Sequence, residues 1–175
     1  MSLDFYKEIT FVPTEKQEEI FNFVRGTTFP WYLQQATDNY RYFGHHLKMR
    51  HEPDVCIPGT INSEHHDFFE SLFEQICQEN DVDLNIIYRM ALNCTYYDPS
   101  EYGDIHEDHF FPHKNFLFAL NDFTGGPTYI FDNENNLIKT TSVGKYKGVF
   151  FGGEKHAAGF CQPQEERIIF VATFN

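Results

Sequence analysis

The chain has no long apolar run: stretches such as 148–151 and 168–173 fall far short of the roughly 20 residues that span a bilayer. It also has no leader-like opening, since Asp4, Lys7 and Glu8 interrupt any apolar stretch near Met1. A soluble, cytoplasmic protein is the expectation. Basic residues are scarce, with 13 Lys and Arg against 26 Asp and Glu and a formal net charge of −13. A chain so acidic repels polyanions at long range, which disfavours nucleic acid and anionic membranes as partners. No Cys-x-x-Cys pair occurs among Cys56, Cys77, Cys94 and Cys161, so neither a zinc knuckle nor a redox dithiol is indicated. Three of the four lie in apolar surroundings, where a free thiol acts as a small buried hydrophobe. Repeats, low-complexity tracts and Pro/Ser-rich linkers are missing as well, which leaves one domain over residues 1–175.

Aromatic residues, by contrast, make up 18% of the chain, with 20 Phe and 10 Tyr. That supply suits strands around a ring-lined interior better than a Leu- and Ala-built helical bundle. Two helices are expected before residue 84. The first starts at Thr14, which can cap it while Gln17 reaches back, carries Ile20, Phe21 and Val24 on its apolar stripe, and stops at Gly26. The second runs over about 63–79, with Phe68, Phe69, Leu72, Phe73, Ile76 and Cys77 on one face. Pro30, Trp31 and Tyr32 read as a strand edge or packed loop, and 29–58 as a lid. From residue 84 onward, strands are expected at about 85–97, 104–109, 114–121, 127–132, 136–142, 147–152, 156–161 and 167–174. The resulting fold class is mainly β with flanking helices, a double-stranded β-helix or cupin-like jelly roll. Residues 1–84 form its helical and aromatic support region and 85–175 its core.

Within that core, His106-Glu-Asp108 places two ligand types two residues apart, on one face if the segment is a strand. Two His and one carboxylate form the facial arrangement that leaves positions open on Fe(II). His156, after the Gly152-Gly153 turn, is the candidate third ligand. Arg167 opens a final strand and shares a face with Ile169, Val171 and Thr173. A guanidinium on an interior face needs an anion, and a bound dicarboxylate would serve bidentately. An Arg at the strand mouth, solvated or paired with Glu165 or Glu166, is the competing possibility.

These motifs, in order, resemble those of the Fe(II)- and 2-oxoglutarate-dependent oxygenases, in particular the prolyl-4-hydroxylase-like branch and its small phage and marine microbial forms. The resemblance spans about 88–174 and rests on His106-Glu-Asp108, Gly125-Gly-Pro-Thr128, Gly148-Val-Phe-Phe, His156 and Arg167. It implies Fe(II) bound by His106, Asp108 and His156, with Arg167 on the far carboxylate of 2-oxoglutarate. Tyr97 matches the tyrosine that adds a hydrogen bond to the co-substrate, although a strand aromatic in the core would look the same. The implied reaction consumes O2 and 2-oxoglutarate, releases succinate and CO2, and hydroxylates a C–H bond. Candidate substrates are a prolyl or other amino-acid side chain in a peptide or protein, and a free small molecule. The chain departs from animal collagen prolyl hydroxylases in having Arg at the distal basic position and Tyr102 four residues before His106, so collagen is no guide to its substrate.

Two other classes fit the same residues: a cupin-type metalloenzyme that does not use 2-oxoglutarate, and a non-catalytic jelly-roll binding module. His109 and His113 lie near the motif, with His109 facing away from His106 in a regular strand. His45-His46, His51 and His65-His66 lack a spaced carboxylate, and the last pair is expected at a solvated helix start. His106-Glu-Asp-His109 is not a zinc-peptidase motif, because its histidines are three apart.

Overall fold

The computed structural model describes residues 3, 5–35, 40–142 and 144–175. Thirteen elements follow in chain order: β1 (Tyr6–Thr10), α1 (Glu15–Arg25), β2 (Tyr32–Gln35), β3 (Arg41–Met49), β4 (Thr60–Ile61), α2 (His66–Glu79), β5 (Ile87–Tyr96), β6 (Lys114–Ala119), β7 (Thr128–Phe131), β8 (Leu137–Thr140), β9 (Lys147–Phe151), β10 (Lys155–Ala158) and β11 (Glu166–Phe174). The major sheet has the order β1-β9-β6-β11-β5-β3-β2, with β4 on β3, and faces a three-stranded sheet of order β10-β7-β8. This antiparallel, mainly β arrangement is the expected jelly roll.

The helices cover the outer face of the major sheet. Thr14 caps α1 in a capping box with Gln17, and Gly26 closes the last turn by donating its N–H to the Phe23 carbonyl. Phe21 and Val24 of α1, with Phe69, Leu72, Phe73 and Ile76 of α2, join the even-numbered residues of β11 in the largest apolar cluster. The odd-numbered Ile169 and Val171 face the other way, toward Ala91, Phe123 and Cys161. Because β11 is buried on both faces, it reads as a nearly continuous apolar run.

Two expectations are corrected. The first 84 residues are more than helical support: β1 pairs with β9 and β3 with β5, so both belong to the major sheet. Their signal is weak because Tyr42 and His46 occupy the inner face of β3, where apolar alternation would otherwise appear. Residues 104–109 form no strand. Apart from one bridge at His106, they join no ladder: the Asp108 carbonyl accepts from Arg50, and just beyond them the Phe110 N–H donates to the Pro53 carbonyl. The lid reading for 29–58 also changes where β2 and β3 are concerned, and residues 36–39 lie outside those described.

His66 is buried rather than solvated and contacts Asp67 through Nδ1 at 2.9 Å. Cys77, Cys94 and Cys161 are buried and Cys56 is exposed, all as free thiols. Among the described residues no helix is long and apolar enough to cross a membrane.

The ring of Phe73, fully buried against Phe116, Phe150, Phe170 and Phe174, joins α2 to three strands. Replacing it with Ala leaves a ring-sized hole between layers that cannot collapse. A loss of about 3–5 kcal/mol is expected in urea unfolding; a loss under about 1 kcal/mol would show that α2 is not locked to the sheet through this ring.

Candidate active site

His106 and His156 are brought face to face by an isolated antiparallel bridge. Each donates its backbone N–H to the other's carbonyl, at 3.0 and 2.9 Å, and the rings lie 4.5 Å apart between centroids. Asp108, two residues beyond His106, completes a group whose ligand atoms all lie within 4.8 Å of one another. The expectation that His106 and Asp108 share a face therefore holds in effect, through a bridge and a bend rather than a strand.

Both imidazoles have their tautomer set from behind. Nδ1 of His106 meets the Asp104 carbonyl at 3.0 Å and Nδ1 of His156 meets the Glu154 carbonyl at 3.1 Å. A carbonyl only accepts, so each Nδ1 carries a proton and each Nε2 is the ring nitrogen left to meet a metal. Burial, with His106 adding to it, pulls His156 down to about 4, so its ring is neutral at pH 7 and its 3.5 Å approach to Asp108 is not an ion pair. Burial opposes the Asp108 charge, but Arg89, with His156, His106 and Arg50, outweighs it and holds the carboxyl below its usual range. Two imidazoles and an ionised carboxylate are the donor set that suits Fe(II) with open positions.

A cavity of about 390 Å³ is lined by His106 and Asp108 and also by Arg167. Arg167 is only 5% exposed. Its Nε donates to the Gly126 carbonyl at 2.8 Å, its Nη2 to Thr128 Oγ1 at 3.1 Å, and it lies over the Phe123 ring. Among the described residues no carboxylate pairs with it, and Glu165 is engaged with Thr124 instead. Burial lowers its pKa to about 10, which leaves it charged at neutral pH. Thr95 sits opposite Arg167 on the paired strand, and its Oγ1 is buried without a hydrogen-bond partner among the described residues, as is Asn93 Oδ1. A buried cation beside unpartnered polar oxygens fits an oxygen-rich anion.

Gly125 and Gly126 both adopt left-handed backbone, with φ of 74° and 62°. A Cβ on Gly126 would lie 3.1 Å from Arg167 Cδ, so the Gly-Gly pair shapes the seat of the guanidinium.

Tyr97 does not join the cavity. It is 51% exposed, because β5 ends at Tyr96 and the strand alternation that would turn residue 97 inward stops there. Tyr40 and Tyr42 line the cavity in its place. His109 is buried against Thr173, with Nε2 2.8 Å from Oγ1, and is not part of the three-ligand group. Arg50, Arg89, Asn93 and Thr95 went unread in the sequence. Residues 89, 91, 93 and 95 share one strand face, so a charged and polar set inside an apolar run was a signal for three of them. Arg50 follows β3 in a loop and gave none.

No protein-family model matches the chain, and no curated protein matches it in sequence. The fold is shared with solved structures of 2OG-Fe(II) oxygenases. An oxidoreductase of that family from Burkholderia pseudomallei superimposes with a TM-score of 0.71 at 11% identity, over 92% of this chain and 79% of the other. A prolyl-4-hydroxylase from Pseudomonas putida gives 0.61 at 14% identity, over 97% and 91%. A prolyl hydroxylase from Trichoplax adhaerens, solved with a hypoxia inducible factor peptide fragment, gives 0.57 at 12% identity, over 97% and 82%.

Two buried histidines make metal-free protein acid-sensitive. His156 and His109 each fall to about 4 through burial, with His106 and His113 respectively adding to the effect. An unfolded chain takes up those protons near pH 6.5. Between pH 6.5 and 4 the unfolded state binds more protons, so stability falls as pH drops through that window. Thermal melts of chelator-treated protein should show a falling Tm from pH 7 to 4.5; a flat profile would mean that these rings charge in the folded state.

Proposed function

We propose that the protein is an Fe(II)- and 2-oxoglutarate-dependent dioxygenase that hydroxylates a C–H bond of a small molecule or of an amino-acid side chain, a prolyl ring among the candidates. The observation that carries this reading is Arg167: a buried cation with no carboxylate partner among the described residues, in a cavity also lined by His106 and Asp108 of the His-Asp-His group. A cupin-type metalloenzyme without 2-oxoglutarate has no use for it. The oxygenase neighbours support the fold part of the reading.

In this proposal His106, Asp108 and His156 hold iron, which when bound supplies oxygen activation coupled to decarboxylation of 2-oxoglutarate into succinate and CO2. The remaining work belongs to the chain. Arg167 holds the far carboxylate, and Thr128 and the Gly126 carbonyl fix the angle of its guanidinium. Thr95 Oγ1 is placed to donate to the same anion. Arg89 and Arg50 keep Asp108 ionised, and the Asp104 and Glu154 carbonyls keep both Nε2 atoms available. Apolar Ile169 and Val171 line the inner side of β11 and keep it dry.

Residues 1–175 act as one oxygenase domain in this reading, which the membership of β1 and β3 in the major sheet supports. An exposed free thiol at Cys56 suits a reducing compartment such as the cytoplasm.

Anaerobic titration of metal-free protein with Fe(II) and then 2-oxoglutarate should produce the weak visible charge-transfer band of the chelate. Arg167→Ala should weaken 2-oxoglutarate binding by about a hundredfold, in line with losing a bidentate charged pair, and His156→Ala should abolish the band. Metal binding without any band favours the cupin-type reading, and no metal binding favours a binding module. A subtler variant, Gly126→Ala, should fold yet bind 2-oxoglutarate about tenfold more weakly, because it displaces the Arg167 side chain; unchanged affinity in the same titration would show that the glycine does not shape the seat.

A further inference from the structure

We propose that the prime substrate carries a carboxylate and that Arg50, with Arg89 beside it, receives that group. The inference rests on the oxygenase reading and deepens it to a substrate class.

Two guanidiniums converge on one acidic oxygen. Nη1 of Arg50 and Nη1 of Arg89 both lie 3.2 Å from Asp108 Oδ1. Among the described residues Asp108 is the only acid within ion-pair distance of either. Asp104 and Glu107 line the same cavity and Glu52 the chamber outside it, yet none of the three pairs with these arginines. Two like charges held together need more than one counter-charge.

The charges of the proposed complex leave that need unmet. One negative charge of 2-oxoglutarate answers Arg167, and the other, with Asp108, answers the two positive charges of iron. Arg50 and Arg89 are then left without a counter-charge of their own. The excess lies on the Arg50 and Arg89 side, because Arg167 has its own anion in the co-substrate.

Donors remain free as well. Arg50 spends Nη1 on the Asp108 carbonyl and carboxylate, and Arg89 spends Nη1 on that carboxylate. Nε and Nη2 of both make no hydrogen bond to a described residue, and together they form the fork that meets a carboxylate. Position agrees with this. Both side chains line the inner cavity and also an outer chamber of about 720 Å³, so they stand where one opens into the other. The Arg89 side chain is 14% exposed and that of Arg50 35%, a graded approach from solvent to metal ligand. Tyr42, Met49 and Val55 supply ring and aliphatic surface in the outer chamber, which fits a carboxylic acid with an apolar body. On a chain of net charge −13, such a positive focus selects anions locally.

The test uses protein loaded with Zn(II) and saturating 2-oxoglutarate, so that no turnover occurs. Ligand-observed NMR compares hexanoate, 3-phenylpropanoate and N-acetylleucine with their primary amides, the last pair mimicking a peptide carboxyl terminus. At least one acid should bind about tenfold more tightly than its amide, the value of one charge-assisted hydrogen bond. Arg50→Gln should bring that ratio near one, and Arg50→Lys should largely keep it. If Arg50 only positioned Asp108, both members of a pair would weaken together and the ratio would survive in Arg50→Gln, which overturns the proposal. Ratios near one in the unmodified protein, no binding by any probe, or acids that displace 2-oxoglutarate from Arg167 overturn it too. Failure of 2-oxoglutarate itself to bind, with the acid preference intact, removes the oxygenase reading and leaves the carboxylate site standing.

Discussion

The ladder between β5 and β11 is the constraint on which the rest of this molecule leans. Its register sets Arg167 against Thr95 and Thr173 against Arg89, and both faces of β11 are buried. A strand sealed on two sides cannot slip by one residue without exchanging its aromatic face for its polar one. The aromatic face anchors the helices, and the other brings Arg167 and Thr173 alongside Thr95 and Arg89 of β5. Fold stability and site geometry are thus settled by the same set of backbone hydrogen bonds, and a core defect in this ladder is also a defect in the site.

Charge is handled differently at the two ends of the polar face. At the Arg89 end, the Asp108 carboxylate meets the guanidiniums of both Arg89 and Arg50, so a buried anion is overcompensated. At the other end, Arg167 is a buried cation that donates to a carbonyl and a hydroxyl and lies over a ring, with no carboxylate paired to it among the described residues. Neither end is balanced by ion pairs among the described residues. Buried charge without a matching partner is unfavourable for an isolated protein, and its presence at both ends marks a site shaped by what it binds.

Much of this was readable in the residues. Helical spacing marked α1 and α2, and alternation marked most strands after residue 84, because their inward faces are apolar and their turns are rich in Gly, Asn and Asp. The grouping of His106, Asp108 and His156 was readable as a motif although the local geometry was not: Arg50 takes the Asp108 carbonyl that a ladder would have used. Arg167 was readable because alternation placed it with Ile169 and Val171. The early strands were harder, since β3 carries His45 on its outer face and Tyr42 and His46 on its inner face, which hides its period. Tyr97 was taken from the resemblance alone, and it lies one residue past the end of β5, where alternation no longer turns a side chain inward. Arg50 lies in a loop, where sequence spacing says nothing about reach.

The bridge between His106 and His156 consists of two backbone hydrogen bonds and lies between the long segments 97–105 and 109–113. Together with the bridge between Tyr102 and Gly159, it pins the two histidines against each other wherever the neighbouring loops run. Those loops are free to lengthen, shorten or change composition over evolutionary time while the His106–Asp108–His156 group stays where it is.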